Sequence, residues 1–271
     1  MTDRRLTPAN GRVAAMHLAG QVTADRFVTG WPMVLTRPVT DLCAAPGGPR
    51  DRQLLRGATV MVFEDHDGWS FVQAADGYVG YVATDRLGPP VPHTHFVASP
   101  ATHAYTSEDF KSPEVTALPL GARLTVVDER RKFFETDAGF VPKRHLRPLE
   151  KPFEDPATVA QMHFGVPYLW GGNSTRGIDC SGLVSASLTL CGQSCPGDSD
   201  MQHALGQDFT DAPRRGDLLF WKGHVAMVVD AETLIHANAH HMAVAYEPLA
   251  QAILRIEAQG DGPVTARRRL M

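Results

Sequence analysis

Through the first 150 residues the apolar positions come in short runs rich in Val, Phe and Tyr, cut repeatedly by glycine and proline. Thr59-Val60-Met61-Val62-Phe63, Trp69-Ser70-Phe71-Val72 and Tyr78-Val79-Gly80-Tyr81-Val82 predict three strands, separated by the turn dipeptides Asp67-Gly68 and Asp76-Gly77. The pattern then repeats. Leu55-Arg56-Gly57-Ala58-Thr59-Val60 is echoed by Pro119-Leu120-Gly121-Ala122-Arg123-Leu124, and Gly80 through Leu87 by Gly139 through Leu146. A period near sixty predicts two small barrels, placed at 31–90 and 91–150 after an N-terminal segment 1–30. After Pro148-Leu149-Glu150-Lys151-Pro152 the period changes. Helical spacing appears in Pro156 to Phe164 and in Cys180 to Cys191, and β-like runs follow. That texture predicts a third domain over 153–271, an α+β unit with a helix packed on an antiparallel sheet.

The first copy, ending in an aromatic-glycine-aromatic-valine strand, resembles the bacterial SH3 domain, usually a targeting or substrate-gating module. Tyr81 and Phe140 stand where that family most often has Trp. Trp69, Phe71, Tyr81 and Phe140 are expected to fill barrel cores. Tyr78 alternates with Val79 and is expected on the opposite side, its polar tip available to a ligand.

Composition narrows the classes of function. The chain of 271 residues is 43% hydrophobic and 21% charged, so it folds and has material for more than one core. Its 26 basic against 30 acidic residues leave a net charge of -4, which offers no footprint for nucleic acid. No run approaches the roughly 20 apolar residues of a membrane span. Val13 to Gly20, interrupted by His17, does not read as a secretion signal. Four cysteines, at 43, 180, 191 and 195, are too few for a disulfide scaffold, and a reducing cytoplasmic setting is expected.

The densest chemistry begins at Val166-Pro167-Tyr168-Leu169-Trp170-Gly171-Gly172, which leads into Gly177-Ile178-Asp179-Cys180-Ser181-Gly182-Leu183-Val184. The apolar stripe 183, 184, 188, 191 and the stop at Gly192 predict a helix with Cys180 in its first turn. There the free N–H groups and the dipole favour a thiolate, the nucleophilic form. Gly171, Gly172 and Gly177 would let backbone approach a substrate, with Tyr168 and Trp170 walling the way in. Cys191 reads as core, Cys195 as a loop residue without a role, and the cysteine spacings do not match a zinc site.

A thiol nucleophile needs a base that also protonates the leaving amine, and histidine suits both tasks. Leu218-Leu219-Phe220-Trp221 and His224-Val225-Ala226-Met227-Val228-Val229 read as paired strands, followed by Thr233-Leu234-Ile235-His236-Ala237. A hairpin centred on Asp230 sets His224 directly opposite His236, whereas a centre at Ala231 sets Asn238 opposite and keeps His236 on the same face. In either register Cys180 would attack, His224 would exchange the proton, and His236 would orient it. His240 and His241 read as solvated loop residues, and His17, His66, His93 and His95 as unconnected.

The succession Asp179-Cys180-Ser181-Gly182-Leu183-Val184, Gly216-Asp217-Leu218-Leu219-Phe220-Trp221, Gly223-His224-Val225-Ala226 and Ile235-His236-Ala237 resembles the NlpC/P60 cysteine peptidases over roughly 153–245. The resemblance implies a papain-like catalytic domain that hydrolyses peptidoglycan stem peptides between the γ-carboxyl of D-Glu and a diamino acid. Paired SH3 domains are similar to those of the murein-recycling members, which require a free N-terminal L-Ala. Asp179, Ser181, Asp198 and Ser199 would then supply acceptors for that ammonium, with Tyr78 reaching in from the first barrel. Asp179 equally fits an N-cap, as Asp198 or Ser199 fits the cap of the next helix, and both readings stand open. An acidic amine contact from the first barrel is also implied, and Asp51 is the nearest candidate. No cofactor or metal is implied, and the partner is the peptide L-Ala-γ-D-Glu-diamino acid rather than nucleic acid or membrane. Two other readings remain: a wall-binding SH3 protein without catalysis, and an acyltransferase on the same fold.

Overall fold

The computed structural model describes residues 3–270, and the chain divides into two compact units between Leu149 and Glu150.

In the first unit one seven-stranded sheet takes residues 31–88, and a three-stranded and a five-stranded sheet take residues 95–148. The two copies of the repeat close in the same way. In the first, the Gly57 N–H donates to Leu35 O (2.8 Å) and the Leu35 N–H to Ala58 O (3.0 Å). In the second, Gly121 donates to Val97 O (2.9 Å) and Val97 to Ala122 O (2.8 Å). Both glycines need the left-handed region, at φ +79 and +87, which explains why the same residue type recurs at the joint. A Cβ on Gly57 would also come within 2.6 Å of Arg123 Cβ. Gly57→Ala should therefore cost about 1–3 kcal/mol, read as a lower urea midpoint with an unchanged slope.

Phe71 is core, packed with Phe63, Val79, Val13 and Ala15, so the segment before residue 31 contributes to the first barrel's interior. Trp69, Tyr81 and Phe140 are only half-buried, a correction to the expectation that all four aromatics fill cores. Tyr78 is corrected in the other direction. It is 2% exposed, the Arg52 guanidinium lies 5.2 Å from its ring centroid, and Val79 is buried beside it. The strand starts only at Val79; Tyr78 sits in the preceding turn, its N–H bonded to Asp76 Oδ1 (3.1 Å), where strand alternation does not apply.

The second unit is α+β. Helix α1 (Pro156–Gln161) is capped by Asp155, which accepts from the Ala157 N–H (3.1 Å) and pairs with Arg215 (2.6 Å). Helices α2 (Cys180–Leu190), α3 (Ser199–Gln202) and α4 (Leu249–Ile256) accompany six antiparallel strands: β1 (Gln207–Asp208), β2 (Leu218–Trp221), β3 (His224–Val228), β4 (Thr233–Asn238), β5 (Ala243–Pro248) and β6 (Ala266–Arg269). Their order is β1-β6-β2-β3-β4-β5.

Alternation along the central strands gives the sheet two apolar faces. Leu218, Phe220, Val225, Met227, Ile235 and Ala237 pack with Cys180, Leu183, Val184 and Leu188 of α2. Leu219, Trp221, Ala226, Val228 and Leu234 pack with Ala252 and Ile256 of α4. Cys195 belongs to the α2 cluster at 4% exposure, while Cys191 is half-buried at the helix end, the reverse of the expected assignment. The chain turns at Cys191-Gly192 after α2 and brings Cys195 back against the helix, a return that helical periodicity does not register. Among the described residues no helix is long and apolar enough to cross a membrane.

Candidate active site

The loop before α2 is held from both sides. Tyr168 N–H bonds to Met242 O (2.9 Å) and Gly165 N–H to Val244 O (2.9 Å), which ties it to β5. At its far end Asp179 accepts from Gly182 N–H (2.7 Å) and Ser181 Oγ (3.1 Å) on one oxygen and from Gly171 N–H (2.8 Å) on the other. Asp179 is thus the N-cap of α2 and also the clamp of the glycine loop. Asp179→Ala should remove about 1 kcal/mol or more of stability through the lost cap, measurable as a lower Tm.

The glycines are required by the packing of the loop itself. A Cβ on Gly172 would come within 2.5 Å of Gly177 O, one on Gly177 within 2.7 Å of Leu169 Cβ, and one on Gly182 would run into Gly172 O. Gly171 takes φ +69, so here too the requirement is internal.

Cys180 opens α2 and is 7% exposed. Its Sγ lies 4.0 Å from Gly223 O, and the N–H groups of Val225, Ser181 and Cys180 itself are directed at the sulfur. The thiol therefore rests against the backbone that carries His224. Burial nevertheless pushes the thiol up to about 12, with the Asp179 carboxylate adding to the rise and the three N–H donors opposing it. Burial likewise pushes His224 down to about 3, with His236 and Arg255 contributing. Desolvation outweighs the helix terminus, so the resting pair is thiol and imidazole. The expected standing thiolate is corrected on that ground: charge separates only when the thiol proton is handed over.

The signs have a measurable consequence. A raised thiol ionises only as pH rises, and a lowered imidazole protonates only in acid. Alkylation of Cys180 by iodoacetamide in the free protein should be slow at pH 7 and climb above the ordinary thiol range near 8.5. The acid limb of any pH–rate profile should fall below the usual histidine value near 6.5.

The β3–β4 hairpin pairs Met227 with Ile235 and Val228 with Leu234, which centres it on Ala231 rather than Asp230. Asp230 Oδ1 caps the turn through the Glu232 N–H (3.0 Å), and Val229 bonds across to Thr233 O (2.9 Å), leaving three residues in the loop. His224 and His236 are consequently diagonal neighbours on one face, and His224 Nε2 lies 2.9 Å from His236 Nδ1. By alternation this is the α4 side of the sheet. Cys180 packs on the α2 side and reaches the start of β3 through Gly223 O.

Two residues missed by the sequence reading extend the array. His236 Nε2 lies 3.1 Å from Glu247 Oε2 on β5, and Arg255 of α4 holds both oxygens of Glu247, Nε to Oε1 at 2.8 Å and Nη2 to Oε2 at 2.7 Å. The signal was present: Glu247 is an acidic residue in an alternating strand, and β4–β5 pairing sets it two residues along from Ala245, the partner of His236. His236, His241 and Glu247 offer ligand atoms within 4.8 Å of one another, a spacing that can hold a metal ion. Both ring nitrogens of His236 and both oxygens of Glu247 are already engaged, so the donors fit the hydrogen-bonded array better than an ion. Treatment with EDTA should leave turnover unchanged.

Of the expected substrate contacts, several gather near Cys180. Asp179 and Ser181 flank it, and Asp198 is close enough to Asp179 to add to the rise that burial imposes on that carboxyl. Ser199 begins α3, with Asp198 before it making no side-chain cap bond. Tyr168 is half-buried; burial and the neighbouring Cys180 and Asp179 push its phenol upward. Trp170 is 73% exposed. Tyr78 and Asp51 lie in the first unit, where Asp51 pairs with Arg4 (2.8 Å).

A papain-like α+β unit with a cysteine at the helix start beside a histidine-bearing strand defines the class: a peptidase. Comparison with known proteins takes the assignment further. Residues 165–257 match the NlpC/P60 family, and residues 42–87 match the bacterial dipeptidyl-peptidase Sh3 domain. The chain is 30% identical over 216 residues to a gamma-D-glutamyl-L-lysine dipeptidyl-peptidase of Bacillus subtilis, covering 68% of this chain and 71% of that one. It is 26% identical to dipeptidyl-peptidase 6 of Lysinibacillus sphaericus over 69% of this chain and 79% of that one. The crystal structure of an NlpC/P60 family protein from Bacillus cereus superposes with a TM-score of 0.74 at 20% identity, over 88% of this chain and 99% of that one. The chain belongs to the NlpC/P60 family.

Proposed function

We propose that this protein is a cysteine peptidase that hydrolyses the bond between the γ-carboxyl of D-Glu and a diamino acid in peptidoglycan-derived peptides bearing a free N-terminal L-Ala. The observation that carries the reading is the position of Cys180: a thiol at the start of α2, against the Gly223–Val225 backbone, beside the carboxylates of Asp179 and Asp198. The specificity named by the Bacillus subtilis relative, gamma-D-glutamyl-L-lysine, supports the choice of bond.

In this mechanism the Cys180 proton passes to His224 as Sγ adds to the γ-glutamyl carbonyl. The oxyanion takes a hydrogen bond from the Cys180 N–H. The tetrahedral adduct collapses as protonated His224 gives its proton to the departing amine, leaving a thioester on Cys180. His224 then takes a proton from water, which displaces the thioester and restores the thiol. Asp179, Ser181, Asp198 and Ser199 surround the ammonium end of the substrate, where two half-buried carboxylates gain from a cation. Tyr168 and Trp170 flank the peptide. The four free cysteines suit a reducing compartment, and the reaction is placed in cytoplasmic recycling of wall peptides.

The test compares L-Ala-γ-D-Glu-diaminopimelate with its N-acetylated form, following free diaminopimelate by mass spectrometry. Only the free-amine peptide should be cleaved. Equal cleavage of both would remove the amine-recognition claim, and cleavage of neither, or of the L-lysine peptide alone, would redirect the choice of substrate.

A further inference from the structure

The hydrogen-bond array behind Cys180 has a direction, and it is set from its far end. Arginine has only donors, and Arg255 spends two of them on the two oxygens of Glu247 in a fork. A carboxylate held this way is ionised and can only accept. The contact from His236 Nε2 to Glu247 Oε2 (3.1 Å) must then be an N–H donating, so the His236 proton is on Nε2 and its Nδ1 carries a lone pair. The contact of 2.9 Å between His236 Nδ1 and His224 Nε2 in turn requires the His224 proton on Nε2. That leaves His224 Nδ1 with its lone pair as the one ring nitrogen able to take the thiol proton. Each link is forced by the one behind it, and the chain starts at a guanidinium that cannot be deprotonated.

We infer that Glu247, fixed by Arg255, is a positioning residue that selects the Nε2–H tautomer of both histidines and so makes His224 a base toward Cys180. Its burial fits that role: His236 is 0% exposed and Glu247 8%, so no solvent competes for either contact. A hydrogen-bonded pair of neutral histidines alone has two equivalent polarities, one of which puts the proton on His224 Nδ1 and leaves that ring no lone pair to take the thiol proton. The Glu247–Arg255 pair removes that choice.

Glu247→Gln keeps the shape and removes the bias. Oε2 is shared by His236 Nε2 and Arg255 Nη2, so an amide oxygen there still accepts from His236, whereas an NH2 there faces His236 Nε2, which must become an acceptor; either orientation sets the NH2 against one Arg255 donor. In the second orientation the proton of His236 moves to Nδ1 and drives His224 to the Nδ1–H form, so the variant populates both polarities. The kinetic arm of the test rests on the proposed hydrolase activity: kcat should fall by the same factor as the Nε2–H fraction of His224, about twofold or more, with KM within about twofold. The second arm needs no substrate. In the 15N-labelled intact protein, the imidazole nitrogens of His224 and His236 should both report Nε2–H in the wild type, and Nδ1–H signals should appear for both in Glu247→Gln. An Nδ1–H proton on either histidine of the wild type would overturn the inference. Should the NMR pattern hold while no peptide is cleaved, the positioning stands and the proposed activity falls. The wild-type spectrum decides even if Glu247→Gln does not fold.

Discussion

Alanine at position 180 abolishes hydrolysis in this account, lowering kcat by about 10⁴-fold or more while leaving the fold and the binding of an uncleaved peptide intact. The size follows from the chemistry. No other thiol is placed to substitute: Cys191 and Cys195 lie at the far end of α2 and in its packed underside, and Cys43 is buried in the first unit. A single buried thiol removed from the α2 cluster costs little stability, since alanine fills most of its volume. Far-UV circular dichroism and Tm should therefore match the wild type. Turnover within about tenfold of the wild type in Cys180→Ala would show that another group performs the attack.

The second large effect is structural. Gly182 lies in the first turn of α2, where its N–H binds Asp179 Oδ1 and its Cα faces the Gly172 carbonyl. A methyl group there meets backbone, not a flexible side chain, and the loop 171–172 cannot retreat because Gly171 N–H is clamped by Asp179 Oδ2 and Gly172 N–H by Leu169 O. Gly182→Ala should cost about 2–3 kcal/mol, at the upper end of overpacking penalties. Activity should fall in step, because the displaced loop carries Tyr168 and the helix start carries Cys180. Chemical denaturation followed by a probe in the second unit should show the lower midpoint.

How much of this was legible in the chain depends on the range of the interaction. The helix at Cys180, its cap at Asp179 and its stop at Gly192 are written within a dozen residues, and the structure forms them there. The repeat was visible because a left-handed glycine is needed at the same joint in each barrel. Alternation placed His224 and His236 on one face, while the register is centred at Ala231, where the Asp230 side chain bonds the Glu232 N–H inside the turn, a detail that alternation does not show. Burial was the harder quantity. Tyr78 was assigned outward from strand periodicity, yet it belongs to a turn and is enclosed. The charge state of Cys180 was read from the helix end alone, whereas the cost of removing a thiolate from water depends on the sheet that covers it. Glu247 and Arg255 lie 11 and 19 residues beyond His236, and only the β4–β5 pairing and the docking of α4 bring them to it.

The claim on which the account turns is that Cys180 Sγ becomes bonded to the γ-glutamyl carbonyl carbon during turnover. The direct measurement is rapid acid quench of the wild-type protein with L-Ala-γ-D-Glu-diaminopimelate, followed by peptide mass spectrometry of the fragment containing Cys180. An L-Ala-γ-D-Glu acyl group on Cys180, absent from Cys180→Ala and discharged by hydroxylamine, is the predicted result. Steady release of diaminopimelate with the acyl group on another residue would contradict it.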